Sequence, residues 1–89
     1  MKKIMQVTEV DGEGLVGLLG KNVLIFCMNY IYTGELEGVN TNDILLKNPR
    51  IVYETGAFDS TSFIDAQKLP NSLYIRTNSI ESYHETNKK

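Results

Sequence analysis

Apolar positions in this chain come in short bursts separated by polar turns. Asn22 to Met28 (NVLIFCM) is apolar on both alternating faces, which predicts a strand covered on two sides. Asn29-Tyr30 is the expected turn. Ile31 to Asn40 (IYTGELEGVN) alternates, with Tyr32 and Leu36 on one face and Thr33, Glu35 and Glu37 on the other. Gly34 lies inside that strand, where glycine marks a sharp bend or a close backbone approach. Thr41-Asn42 is a second tight turn, and Asp43 to Lys47 (DILLK) follows as strand, which Ile51-Val52-Tyr53 extend past Asn48-Pro49. Leu73 to Arg76 (LYIR) and Ser79 to Tyr83 (SIESY) are two short strands around Thr77-Asn78.

The remaining segments carry weaker patterns. Residues 4–10 (IMQVTEV) are too short and β-branched for a helix and end at the Asp11-Gly12 turn signal. Gly14 to Gly20 has the leucines for one or two helical turns, ended by Gly20. Residues 55–71 read as a surface loop, with Ser62 and Asp65 offering a capping pattern for a short helical turn. His84 to Lys89 reads as a frayed polar tail. Val, Ile and Thr number 21 among 89 residues against two alanines, which favours pleated over helical structure. The expectation is a mainly β chain, with five strands in a strongly bent antiparallel sheet or small open barrel.

Composition narrows the function classes. Eighty-nine residues make a single domain, and 42% hydrophobic with 22% charged is ordinary for a globular one. The longest apolar run, Val23 to Met28, is far short of the roughly 20 residues of a membrane span. Lys2 and Lys3 have no continuous apolar stretch behind them, so no signal peptide is expected. The single cysteine, Cys27, fits a reducing, cytoplasmic setting and leaves no internal disulfide. Catalysis finds little support: the lone His84 lies in the tail, and Cys27 alternates with Val23 and Ile25 as a buried thiol does. Glu35 and Glu37 share a strand face, where exposed acids are commonplace. No metal-ligand spacing or phosphate-cradling glycine loop is present, so no metal, cofactor or enzymatic activity is expected.

These residues resemble the Sm/LSm-like family, which includes the bacterial RNA chaperone Hfq. Its first motif is matched by LLGKNVLIF, YTGELEGVN and TNDILLKN, and its second by LYIRTNSI. The resemblance implies an Sm-like, SH3-like barrel over residues 1–89. Its parts are an N-terminal arm 1–14, the first motif 15–47, a variable loop 55–71, the second motif 71–83 and a tail 84–89. There are departures. The Asn40–Asp43 turn is about one residue short, Asn40 stands where aspartate is frequent, Thr41 cannot stack on a base, and Thr77 stands where glycine commonly follows the arginine. A divergent member, viral for instance, would account for them.

Six residues are candidates for RNA contact: Asn40, Thr41, Asn42, Asp43, Arg76 and Asn78. Arg76 is one of two arginines, and the resemblance gives it the role of stacking on a base; it is equally suited to an ion pair with Asp43 that ties the two turns together. Asparagine amides read base edges, yet Asn and Asp also favour turns because they bond their own backbone. Tyr30, Tyr32, Tyr53, Tyr74 and Tyr83 offer stacking platforms, although tyrosines of small β domains more often serve core or interface. Lys47, Arg50 and Lys68 look scattered along the chain.

The last two strands lack the usual edge defences apart from Arg76 and Glu81. In the resembled family the fourth strand of one subunit pairs with the fifth of the next, a head-to-tail contact that closes into a ring. Leu73, Tyr74, Ile75, Ile80 and Tyr83 are the candidate interface residues for a homo-oligomeric ring of five to seven copies. Two functions follow from the resemblance. One is a non-catalytic ring that binds uridine- or adenosine-rich single-stranded RNA at its pore; the other is a ring-forming scaffold or assembly subunit without an RNA site. Motif placement and Arg76 favour the first. The absent stacking residue, the two arginines, the net charge of −2 and the pI near 5.3 favour the second. The balance falls to RNA binding.

Overall fold

A computed structural model describes residues 10–89. All of the segment 4–10 but Val10, and residues 1–9 of the 1–14 arm, therefore lie outside the described residues. After the turns at Asp11–Gly14, a single 3-10 turn runs Val16–Leu18. Gly20, at φ 83°, turns the chain out of it, as its position after the leucines predicted. Six strands follow: β1 Asn22–Cys27, β2 Ile31–Val39, β3 Asp43–Glu54, β4 Asp65–Lys68, β5 Leu73–Arg76 and β6 Ile80–Glu85. All pairings are antiparallel. The sheet order is β4–β3–β2–β1–β6, and β5 also pairs with β3.

The bent antiparallel sheet expected from the sequence is present, and β3 does continue past Asn48-Pro49 to Glu54. The long strand stays in one small domain because it bends. Glu35 faces Lys47 and Thr33 faces Arg50, so Asn48 and Pro49 together oppose the single residue Gly34. This is a bulge, which sharpens local twist. Pro49 contributes no N–H to the ladder, and Asn48 takes φ 51°, a conformation asparagine tolerates better than most residues. A Cβ on Gly34 would lie 3.0 Å from the Lys47 carbonyl oxygen, 3.2 Å from Leu46 Cβ and 3.3 Å from Pro49 Cα. The glycine inside β2 is thus a close-approach site.

The core is assembled from one face of the bent sheet. Val23, Ile25, Leu36, Ile44, Leu46 and Ile75 are buried there, with Leu15, Leu18, Tyr32, Leu73, Ile80 and Tyr83 packed around them. Leu24 is fully buried as well. Both alternating faces are therefore covered at Val23–Ile25, as the pattern required, while β1 stops at Cys27 and Met28, the end of the expected run, is exposed.

Three expectations need correction. Residues 55–71 hold no helical turn at Ser62–Asp65; they hold β4, whose Ala66 and Gln67 pair with Val52 and Ile51. Asp-Ala-Gln-Lys is a poor strand sequence, and the exposed edge of β3 imposes the conformation. The last strand does not run Ser79–Tyr83: Ser79 closes a 3-10 turn at Thr77–Ser79 and β6 runs Ile80–Glu85, with β5 paired to β3 and β6 to β1. The tail is docked rather than frayed. His84 and Glu85 belong to β6, Thr86 N–H donates to Asn22 O at 2.9 Å, and Lys89 bonds across to the 61–63 segment in both directions.

Candidate functional site

The turn between β2 and β3 closes on itself. Asn40 N–H donates to Asp43 O at 2.8 Å, and its side-chain Nδ2 donates to Asp43 Oδ1, also at 2.8 Å. Asn40 and Asp43 are therefore engaged in shaping the turn, the local role that Asn and Asp commonly fill. Thr41 and Asn42 at its tip are exposed.

The turn after β5 lies against this one. Asp43 and Arg76 are direct cross-strand partners, so their side chains project from the same face of the sheet. Thr77 N–H donates to Asn42 O at 2.9 Å, and Thr77 Oγ1 approaches Thr41 O at 3.5 Å. Ser79 Oγ donates to Arg76 O at 2.8 Å and fixes the 3-10 turn. Residues 36 apart in sequence thus form one polar surface from two turns. Arg76 and Asn78 are exposed on it. The Asp43 carboxylate takes the Asn40 amide, and among the described residues no side-chain hydrogen bond or ion pair holds the Arg76 guanidinium. All six candidate contact residues come together here, with Thr41, Asn42, Arg76 and Asn78 free to meet a ligand.

The candidate interface residues divide. Ile75 is 5% exposed and opposite Ile44, so its side chain belongs to this chain's own core. Leu73, Ile80 and Tyr83 are half-buried against that core. Tyr74 is 63% exposed and opposite Leu45, on the same face as Asp43 and Arg76. The alternation of LYIR carries this signal: it puts Leu73 and Ile75 inward, Tyr74 and Arg76 outward. Tyr30 and Tyr53 are exposed elsewhere, and Tyr53 OH donates to Gln67 Oε1 at 3.1 Å.

Cys27 packs against the core, and burial pushes its thiol above the ordinary value; the Glu81 charge adds to this and a hydrogen bond with Ser79 opposes it. That environment disfavours a thiolate nucleophile. Among the described residues no group of three or more His, Cys, Asp or Glu could hold a metal, and no helix is long and apolar enough to cross a membrane.

Sequence reasoning missed a second polar cluster. Arg50 and Lys68, which look scattered along the chain, are direct cross-strand partners on β3 and β4. The Arg50 guanidinium carbon lies 5.2 Å from the centroid of Phe63, and Lys88 Nζ lies 5.6 Å from the same ring. No local motif announces this grouping, because Arg50 is 13 to 38 positions from the other members.

No family model and no curated protein matches this sequence. The fold does have known counterparts. A heptameric archaeal Sm protein superposes with a TM-score of 0.64 at 15% identity, covering 81% of this chain and 94% of the other. The P. aerophilum SmAP1 heptamer gives 0.63 at 16%, covering 81% and 86%. The Pyrococcus abyssii Sm protein in complex with a uridine heptamer gives 0.62 at 15%, covering 81% and 92%. This chain therefore has the Sm-like fold.

Proposed function

We propose that the protein assembles head to tail into a closed ring of five to seven copies and binds single-stranded RNA where the two turns meet. The observation that carries this reading is the joining of the Asn40–Asp43 turn to the Arg76–Asn78 turn, through the Asp43–Arg76 register pair and the Thr77–Asn42 hydrogen bond. It leaves a guanidinium without a side-chain partner among the described residues, and exposed amides, on one surface. Guanidinium planes stack on unpaired bases and amides bond to their edges.

The sheet's two ends support the ring. Among the described residues, one end is β4 and β5, each paired only to β3, and the other is β6, paired only to β1. Joining β5 of one copy to β6 of the next satisfies both rows of backbone groups, and a heterologous contact of this kind closes when the rotation allows. Leu73, Tyr74, Ile80 and Tyr83 would supply side chains there, with Ile75 contributing backbone. Repeating Arg76 once per copy turns a weak contact into avidity for a strand. The assemblies named for two of the matching folds are heptamers, and the third is a complex with a uridine heptamer.

Sedimentation of the full chain with and without a labelled oligo(U), at two salt concentrations, tests both halves. A ring mass, co-sedimentation at low salt and weakening at high salt are expected. Arg76→Ala should leave the ring mass unchanged and weaken oligo(U) tenfold or more, since a stacked base is worth about 1–3 kcal/mol. A monomer at high micromolar concentration overturns the ring; a ring indifferent to oligo(U) at low salt overturns the RNA site and leaves a scaffold.

A further inference from the structure

A group of cations gathers at the far half of β3, away from the two joined turns. Arg50 lies seven residues beyond Asp43, roughly 23 Å along the strand path at 3.3 Å per residue. A cavity of about 240 Å³ opens beside it, lined by Asn22, Gly34, Asn48, Arg50, Lys88 and Lys89 among others, with no Asp or Glu side chain in the lining among the described residues. An adjoining cleft of about 290 Å³ shares Asn48 and Arg50 and adds Lys68. A chain with a net charge of −2 has thus placed four of its nine basic residues around one corner.

The charges are held in place, and among the described residues no Asp or Glu side chain pairs with them. Lys88 is only 7% exposed, and its ammonium donates to Ser60 Oγ at 2.6 Å, to Ser60 O at 3.3 Å and to Ala57 O. None of these acceptors carries a negative charge, so the donors are satisfied while the charge is not. Arg50 shares the Phe63 ring with Lys88, and no hydrogen bond among the described residues engages its guanidinium. Like charges opposite each other in a sheet repel, as Arg50 and Lys68 do. Glu35, the neighbouring carboxylate by register, is the partner of Asn22 and Lys47 and lies outside the lining. An anion in the cavity relieves this concentration of like charge.

We propose that this cavity binds a phosphate group. Arg50 and Lys89 are its direct ligands, Asn22 and Asn48 are amide donors, and the buried Lys88 sets the potential. The forked donors of Arg50 suit a tetrahedral oxyanion. Gly34 contributes only backbone to the lining, its Cβ direction being taken up by the close approach of β3. The volume falls below the roughly 300–1,000 Å³ typical of pockets for whole small molecules, and it suits one anionic group. That group is either free phosphate or a phosphate in the backbone of a single strand.

The test is an amide chemical-shift titration of the full chain, in phosphate-free buffer, with inorganic phosphate and separately with oligo(U). Saturable shifts at Gly34, Arg50 and Lys89 are expected with phosphate, weakened several-fold in Lys89→Gln and more in Arg50→Gln, and unchanged in Arg76→Ala. Lys89 has an exposed side chain, so its variant keeps the fold. If a strand supplies the phosphate, Lys89→Gln lowers the salt slope of oligo(U) binding by about one. If only free phosphate binds, that slope stays and the phosphate shifts remain; both outcomes support the site and assign its source. Absence of saturable phosphate shifts in the unmodified chain, or equal shifts in Lys89→Gln, overturns the proposal. The phosphate arm decides it even if oligo(U) does not bind, so its failure and that of the RNA reading are told apart.

Discussion

The two halves of β3 are held by different physics. In the first half Ile44 faces Ile75 and Leu46 faces Leu73, and both β3 residues are fully buried. In the second half Arg50, Ile51, Val52 and Glu54 face Lys68, Gln67, Ala66 and Asp65, a mostly polar partner strand. The cover there comes from the 57–63 segment and the tail, through Phe63, the Lys88 ammonium and the hydrogen bonds of Lys89. Burial of apolar area is non-directional and survives small adjustments of geometry. The ammonium clamp works only when its acceptors are in position, so it can open locally while the first half stays folded.

The largest effect expected from this contrast is in the core half. Ile44→Ala should destabilise the whole fold by about 2–5 kcal/mol, the usual cost of truncating a fully buried aliphatic side chain. A urea titration would show a lower midpoint with an unchanged slope. Lys88→Ala should cost about 1–2 kcal/mol, because Ser60 and Ala57 keep water as an alternative partner once the tail loosens. Its signature is local: hydrogen exchange should quicken at the Phe63 and Lys89 amides, which bond to the opposite segment, and stay slow at Ile25 and Leu46. If Lys88→Ala instead lowered protection throughout β1 and β3, the two halves would be one cooperative unit and the contrast would fail.

The same contrast explains what could be read in advance. Asn22–Met28, the Gly34 bend and the LYIR alternation follow from periods of two and from glycine's size, both local properties. The meeting of the two turns was implied by resemblance, and its residues lie at the ends of strands whose pairing the apolar pattern dictates. The clamp was illegible for a physical reason. Lys88 bonds to residues 28 and 31 positions away, through backbone carbonyls and a serine hydroxyl that any sequence could offer. β4 carries no strand propensity of its own and exists because β3 presents an unpaired edge. Within the site, Asn40 and Asp43 proved to bond each other, a division of labour between turn-making and ligand-facing residues that identity alone cannot make.

The smallest expected effect concerns the core cluster's response to pH. Cys27 and Tyr32 both pack against the core cluster, and burial is the leading cause that raises each above its ordinary value. For Tyr32 the nearby Cys27 and Tyr30 add to the shift. A raised value means the folded chain holds the neutral form at pH values where the unfolded chain has already released its proton. The stabilisation is therefore complete below the unfolded thiol value, about 8.5, and is lost as pH rises through the folded value. Stability measured at pH 7.5 and 9.5 should fall for the unmodified chain and fall less for Cys27→Ala, with the residue of the slope belonging to Tyr32. Because both groups pack against the core cluster, exchange at the Ile25 amide should quicken with the global transition, after correction for the intrinsic rate. An equal fall in both proteins would place the alkaline sensitivity outside Cys27.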